Sequence, residues 1–170
     1  MINKALYSSA KGEWATPDYF FRALHAEFGF SVDVCATAEN AKCANYYTPD
    51  QDGLKQDWAG TVWLNPPYGK GIYEWISKAY QSYLDGATVV CLVPCRPDTR
   101  WYQDFAPRAE VRLYRGRLKF GESKNSAPFP SAIMIFSRRV IPGAVRYVGL
   151  PRMTATTAYI ADLFTEDSAA

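Results

Sequence analysis

Apolar residues recur at helical spacing in two stretches of the chain and form short unbroken runs elsewhere. Ile72, Trp75, Ile76, Ala79, Tyr80, Tyr83 and Leu84 fall on one side of a 3.6-residue period, which predicts a helix over 72–84 closed by Gly86. Phe20, Phe21, Leu24 and Phe28 do the same for Asp18–Phe28. There Thr16 reads as the N-cap, Pro17 as the first helical position and Gly29 as the stop. A short helix is expected over Asp98–Phe105. The runs Phe30–Val34, Thr61–Leu64, Thr88–Val93, Val111–Tyr114, Ala132–Ser137 and Val145–Val148 read as strands. From Cys35 to Gly60 the chain is polar and turn-rich, and no strong strand is expected.

Strand, helix and strand over 61–93 imply a right-handed parallel crossover. The expected architecture is therefore a single α/β domain on a mostly parallel sheet. Ligands of such sheets sit outside the carboxyl ends of the strands. Asp33 and Asn65 both fall at such ends, as a shared site requires.

Composition narrows the class. The chain has 170 residues and 48% apolar content, enough for one domain with a core. Its longest apolar stretch, near Ala87–Val93, is too short to span a bilayer. Met1–Gly12 lacks the apolar block of a signal peptide and reads as a flexible arm. Residues 13–150 are expected to form the domain, and 151–170 give no clear signal. A cytoplasmic protein without membrane contact is the expectation. Cys35, Cys43, Cys91 and Cys95 do not give the close Cys pairs of a zinc site on both sides, and His25 is the one histidine, so no metal site is expected. Reduced thiols are the reading that remains.

Net charge is +2, yet Pro94–Arg139 holds ten Lys/Arg against four Asp/Glu, a local charge of +6. A basic block invites phosphate contact. Arg96, Arg100, Arg115, Arg117 and Lys119 are its leading candidates, since arginine contacts phosphate or reads guanine through a bidentate pair.

The chemistry concentrates in Asn65-Pro66-Pro67-Tyr68, directly after the run Thr61–Leu64. Neither proline has an N–H to donate, so the ladder must stop there. The stiffened corner presents the Asn65 amide, the Pro66 carbonyl and the Tyr68 ring together. Two acceptors and a stacking face suit a planar nitrogen substrate, such as the exocyclic amine of a base.

These four residues match the fourth motif, [DNS]-P-P-[YFW], of the amino-methyltransferases that use S-adenosylmethionine. Further segments make the likeness more specific: Trp14-Ala15-Thr16-Pro17, Asp33-Val34-Cys35-Ala36, Glu39-Asn40-Ala41-Lys42-Cys43, Asp52-Gly53-Leu54 and Asp57-Trp58. Val93-Pro94-Cys95-Arg96, Asp98-Thr99-Arg100-Trp101, Gly116–Gly121 and Ala127–Ser131 follow. With them the chain resembles the phage-type, Dam-like DNA N-6-adenine-methyltransferases from about Trp14 to Phe136.

The resemblance implies a Rossmann-like sheet and S-adenosylmethionine as methyl donor. Its substrate would be an adenine amine in duplex DNA, flipped from the stack, with GATC as target. Asn65 and Pro66 would accept from that amine, Pro67 would hold the corner, and Tyr68 would stack on the base. Phe129 would form the opposite wall, or simply pack in its proline-flanked loop. Asp33 would meet the donor's amino group, with Cys35 and Ala36 beside it, Asp57 near its adenine, and Asn65 bordering the donor as well as the base. Trp14, Thr16 and Pro17 would close over the methionine end, with the helix start at Thr16 near the carboxylate. Glu39, Asp50 and Asp52 stay open as ribose-binding acids. Two departures stand out. The usual glycine-rich first motif is absent after Asp33, and Asp33 and Asn65 are too close for a full sheet, so a second strand or its helix must be reduced or missing. Methylation of RNA or a protein glutamine, or an inactive DNA- or cofactor-binding protein, are the rival readings.

Overall fold

The structure, a computed structural model, describes residues 15–121 and 125–149. Trp14, the arm over 1–12, and the tail over 151–170 lie outside the described residues.

The elements follow the apolar pattern closely. Helix α1 spans Asp18–Phe28, with Gly29 in the left-handed region at φ 67° and its N–H on the His25 carbonyl. Strand β1 is only Val32–Asp33, and β2 is Thr61–Leu64. Helix α2 is Ile72–Leu84, β3 is Thr88–Pro94, and α3 is Arg100–Phe105. Strands β4, β5 and β6 are Glu110–Tyr114, Ser131–Phe136 and Val145–Val148.

Two helix starts differ from expectation. Pro17, with ψ 137°, is the N-cap of α1, so the helix begins one residue later than the proline. The Thr16 hydroxyl makes no cap. The Pro17 carbonyl instead accepts the N–H groups of Phe20 and Phe21 at 3.1 and 3.0 Å. Helix α3 begins at Arg100 rather than Asp98, because Arg96–Thr99 closes a turn of its own through Thr99 N–H to the Arg96 carbonyl.

The six strands among the described residues run in the order β1-β2-β3-β5-β4-β6. All pairings are parallel except those of β5, which runs against β3 and β4. The carboxyl ends of β1, β2, β3 and β4 therefore share one edge. Side chains alternate across the sheet as a period of two demands. Val62, Leu64, Val89, Cys91, Met134 and Phe136 pack under α2 and α3. Trp63, Val90, Leu92, Ile133 and Ile135 pack under α1 with Leu118 and Phe120.

Strand β1 lies at one end of the sheet. Beside it, among the described residues, runs only a bridge, with Asp33 N–H on the Asn45 carbonyl and Tyr47 N–H on the Asp33 carbonyl, both 2.9 Å. This Asn45–Tyr47 segment stands where a second strand would lie, which is the expected reduction. Gly53 holds the intervening loop against β1. A Cβ there would meet the Val34 carbonyl oxygen at 2.1 Å. Its own carbonyl accepts from the Trp58 indole at 2.8 Å.

The basic block is less uniform than its sequence suggested. Arg112 points inward, 5% exposed, and binds Glu27 of α1 through both terminal nitrogens at 2.7 and 2.8 Å. Its Nε reaches buried Glu110 at 2.6 Å, and Glu110 also holds Arg146 of β6. Arg138 and Arg139 follow antiparallel β5 and so leave from the opposite edge.

Candidate active site at the carboxyl edge of the sheet

Strands β1 and β2 are neighbours, with Asp33 opposite Trp63. Asp33 ends β1 and Asn65 follows β2, so register alone sets the two side by side. Both line one cleft, together with Thr16, Cys35, Ala36, Pro66 and Pro67. Ala15, Thr37, Asn40, Lys42, Pro49 and Trp63 complete its walls.

Asp33 is 3% exposed. Its Oδ1 accepts the Cys35 N–H at 3.3 Å and its Oδ2 the Lys42 N–H at 3.1 Å. Burial raises its pKa to about 6, against the smaller opposing pull of those two N–H groups and the Lys42 charge. A buried carboxylate with this balance gains from a cation set beside it. Lys42 Nζ turns away to Asp18 Oδ1 at 2.5 Å, fastening the loop to α1 and holding the Asp18 carboxyl below its usual range. That acid in the first turn of α1 opposes the expectation that this helix start receives a carboxylate. Burial pushes the Cys35 thiol up, with Asp33 adding to it, and pushes Cys43 up to about 11, so neither is a ready nucleophile.

Asn65 is held at both ends of its carboxamide. Nδ2 donates to Thr16 Oγ1 at 3.1 Å, and Oδ1 accepts from the Tyr68 hydroxyl at 3.0 Å. The same hydroxyl lies 3.4 Å from the Leu92 carbonyl. Burial holds this phenol well above its ordinary pKa, so it is a neutral donor. The Tyr68 ring meets Phe129 at 5.3 Å and 82°, and Phe120 at 6.2 Å and 82°. Tyr68 and Phe129 thus touch edge to face. Phe129 also meets Phe120 at 6.1 Å, so it packs in the same aromatic cluster, the second of the two readings its sequence offered.

Asp57 is not in this cleft. It lines a separate depression with Ser31, Asn45 and Tyr46, at the amino end of β2. The strand that precedes Asn65 separates the two, so Asp57 does not share the cleft with Asp33, as the resemblance implied. Pro17 also lies off the cleft wall. Of the open ribose candidates, Asp52 pairs with Lys55 at 3.0 Å, and none of the three lines the cleft. Asn40 does, its Oδ1 accepting the Thr37 N–H at 2.7 Å. Thr37, Asn40, Lys42 and Pro49 were missed as site residues. Asn40 and Lys42 belong to a quoted motif, but only the fold of the loop turns them inward.

The basic candidates emerge on the edge that holds Asn65. Arg96 and Arg100 follow β3, while Arg115, Arg117 and Lys119 follow β4, which is parallel to it. Leu118 and Phe120 are buried at 0% and 1%, and Arg117 and Lys119, which alternate with them, face outward. Arg117 Nη1 donates to the Ala127 carbonyl at 3.3 Å. Arg100 is 83% exposed, pairs with Asp104 at 3.4 Å, and covers the Tyr73 ring at 5.1 Å.

A reduced Rossmann-like sheet with an N-P-P-Y corner and a buried acid on the adjoining strand defines a methyltransferase. The family model for DNA N-6-adenine-methyltransferase (Dam) matches residues 4–158, and the chain belongs to that family. The chain is 31% identical over 157 residues to the DNA N-6-adenine-methyltransferase of Haemophilus phage HP1, covering 85% of this chain and 91% of that protein. It is 29% identical over 94 residues to the protein of the same name from Escherichia phage T1, covering 54% and 39%. Among solved structures it is similar to a predicted O-methyltransferase from Agrobacterium tumefaciens, with TM-score 0.32 and 18% identity over 67% of this chain and 54% of that one. Membership makes adenine in DNA the substrate. No helix among the described residues is long and apolar enough to cross a membrane.

Proposed function

We propose that the cleft between Asp33 and Asn65 binds S-adenosylmethionine and that the N-P-P-Y corner grips a flipped adenine at its mouth. The observation that supports this best is the juxtaposition of the two residues on adjacent parallel strands, lining one cleft. The donor set fits the group. Asp33 is a buried acceptor suited to an ammonium, and apolar Ala15, Ala36, Pro49 and Trp63 suit the uncharged parts. When bound, S-adenosylmethionine supplies an activated methyl group on a sulfonium.

The chain's own work is then orientation and charge stabilisation. The adenine amine is a poor nucleophile because its lone pair is delocalised into the ring. Accepting hydrogen bonds from both amine protons favours a pyramidal nitrogen and stabilises the positive charge that grows on it. Asn65 Oδ1 and the Pro66 carbonyl are those acceptors. A carboxamide oxygen has two lone pairs, so accepting from Tyr68 is compatible with accepting from a base. Pro67 keeps the corner rigid. Tyr68 offers its ring to the base and its hydroxyl to Asn65.

A target inside a duplex must leave the stack to reach this corner. Arg96, Arg115, Arg117 and Lys119 hold the DNA around it through phosphates or base edges, and Arg100 joins them by exchanging its exposed Asp104 pair for a DNA contact. The target is GATC, and the protein acts in the cytoplasm of the bacterial host.

One experiment tests the reading. Labelled S-adenosylmethionine is offered with a GATC duplex, the same duplex premethylated at adenine, a scrambled duplex, RNA and a protein extract. Label confined to the unmodified GATC duplex supports it. Equal label in the scrambled duplex removes the target assignment, and label in protein or RNA alone rejects the substrate.

A further inference from the structure

We infer that Thr16 is a positioning residue for the reaction, acting by holding the Asn65 carboxamide rather than by contacting the methyl donor. This rests on Asn65 being the amine acceptor.

The sequence places Thr16 as a helix cap, and the structure takes its hydroxyl elsewhere. Pro17 caps α1, and Thr16 Oγ1 accepts from Asn65 Nδ2, 49 positions along the chain. Thr16 is 4% exposed, so water competes poorly for this bond. Its backbone is anchored as well. The neighbouring Ala15 carbonyl accepts the Gly121 N–H at 2.8 Å, tying the strap to the segment after Lys119. At the other end Asp18 holds Lys42.

The physical need is plain. A carboxamide held only through its oxygen keeps a soft torsion at its sp² end. The Tyr68 hydroxyl holds the oxygen, and the Thr16 hydroxyl holds the nitrogen. Together they fix the plane of the amide, and with it the direction in which the oxygen meets a substrate N–H. A misaligned acceptor loses its advantage in the transition state, where geometry matters most.

The test compares Thr16→Val, which keeps shape and loses the hydroxyl, with Thr16→Ser, which keeps the hydroxyl. Thr16→Ala serves where the valine variant does not fold. Three quantities are measured on the full chain: kcat on a GATC duplex at saturating donor, Kd for S-adenosylmethionine by calorimetry, and the Asn65 side-chain amide resonances by NMR without ligand. Expected for Thr16→Val are a kcat lower by about tenfold to a hundredfold, a donor Kd within twofold of the parent by the same reading, and an upfield shift of one Asn65 amide proton. Thr16→Ser recovers most of the rate and the resonance. A weaker Kd with kcat retained makes Thr16 a donor contact and overturns the inference. An Asn65 resonance unmoved by Thr16→Val also overturns it. Should the parent chain transfer no label to DNA, the proposed function falls, and the resonance alone still decides whether Thr16 holds Asn65.

Discussion

The Tyr68 hydroxyl donates to Asn65 Oδ1 at 3.0 Å across a gap of three residues. The prolines between them make this possible. Their fixed φ folds the corner back on itself, and the partly buried Tyr68 brings its hydroxyl to the amide it follows. The aromatic residue of the motif is thus a hydrogen-bond anchor as well as a ring.

Tyr68→Phe separates those two roles. The ring and its contacts with Phe120 and Phe129 remain, and the hydroxyl is lost. Stability falls by about 1 kcal/mol in urea titration. The expected kcat loss is within about tenfold, because the nitrogen end of Asn65 stays held. Tyr68→Ala removes the ring too, and its KM for duplex rises in steady-state assays. A phenylalanine variant as damaged as the alanine one would show the hydroxyl to be essential.

Asn65→Ala deletes the proposed acceptor itself. Turnover is expected to drop on the order of a hundredfold or more. Calorimetry with S-adenosylmethionine should show near-parental affinity, since Asp33 and the loop from Cys35 onward are untouched. Loss of donor affinity to the same degree would move Asn65 from the reacting end to the donor site.

Asp33 carries a pH signature. Its folded-state pKa is raised to about 6 from the ordinary 3.8, so the folded chain holds this proton more tightly than the unfolded one. The associated stability is present below about pH 4 and is lost as pH climbs through 6, roughly 3 kcal/mol in all. Urea titrations of the ligand-free protein at pH 5 and pH 7.5 should show about half of that loss, since at pH 5 the unfolded carboxyl is already ionised, and Asp33→Asn should flatten it. Donor binding runs the other way. At the proposed site it should need the ionised carboxylate and weaken about tenfold per pH unit below 6. A donor Kd constant from pH 7.5 to 5 would exclude Asp33 as the ammonium partner.

The buried ions make a prediction about stability alone. Arg112→Met leaves Glu110 and Glu27 without their shared partner, and Glu110 is 1% exposed. A loss of about 3–5 kcal/mol is expected in chemical denaturation. Specific activity of the folded fraction at low temperature should be unchanged, because the network lies between α1, β4 and β6, outside the cleft.

Arg117→Gln and Lys119→Gln address the DNA face. If each contacts one phosphate, the slope of log affinity against log salt falls by about 0.9 per substitution on duplex of any sequence. An unchanged slope with altered target preference would assign that residue to base reading instead.

Much of this protein was legible in one dimension because its determinants are local. The helices over 18–28 and 72–84 follow from apolar periodicity, and the strand over 61–64 from an apolar run ended by two prolines. These are effects of neighbours along the chain. The basic block was only half legible, since its arithmetic could not tell Arg117, pushed outward by buried Leu118 and Phe120, from Arg112, drawn inward by Glu27. Asp57 lies a few residues before β2 and was credited to a cleft that opens at that strand's far end.

What tertiary structure alone decided is which atoms meet. That Thr16 serves Asn65 instead of its own helix, and that Lys42 bridges Asp33 and Asp18, depend on parallel pairing of β1 with β2 and on how the intervening loop packs against Val34. A hydrogen bond between residues far apart in sequence leaves no periodic trace. Its existence is settled by angstrom-scale placement, and that emerges only when the sheet has closed.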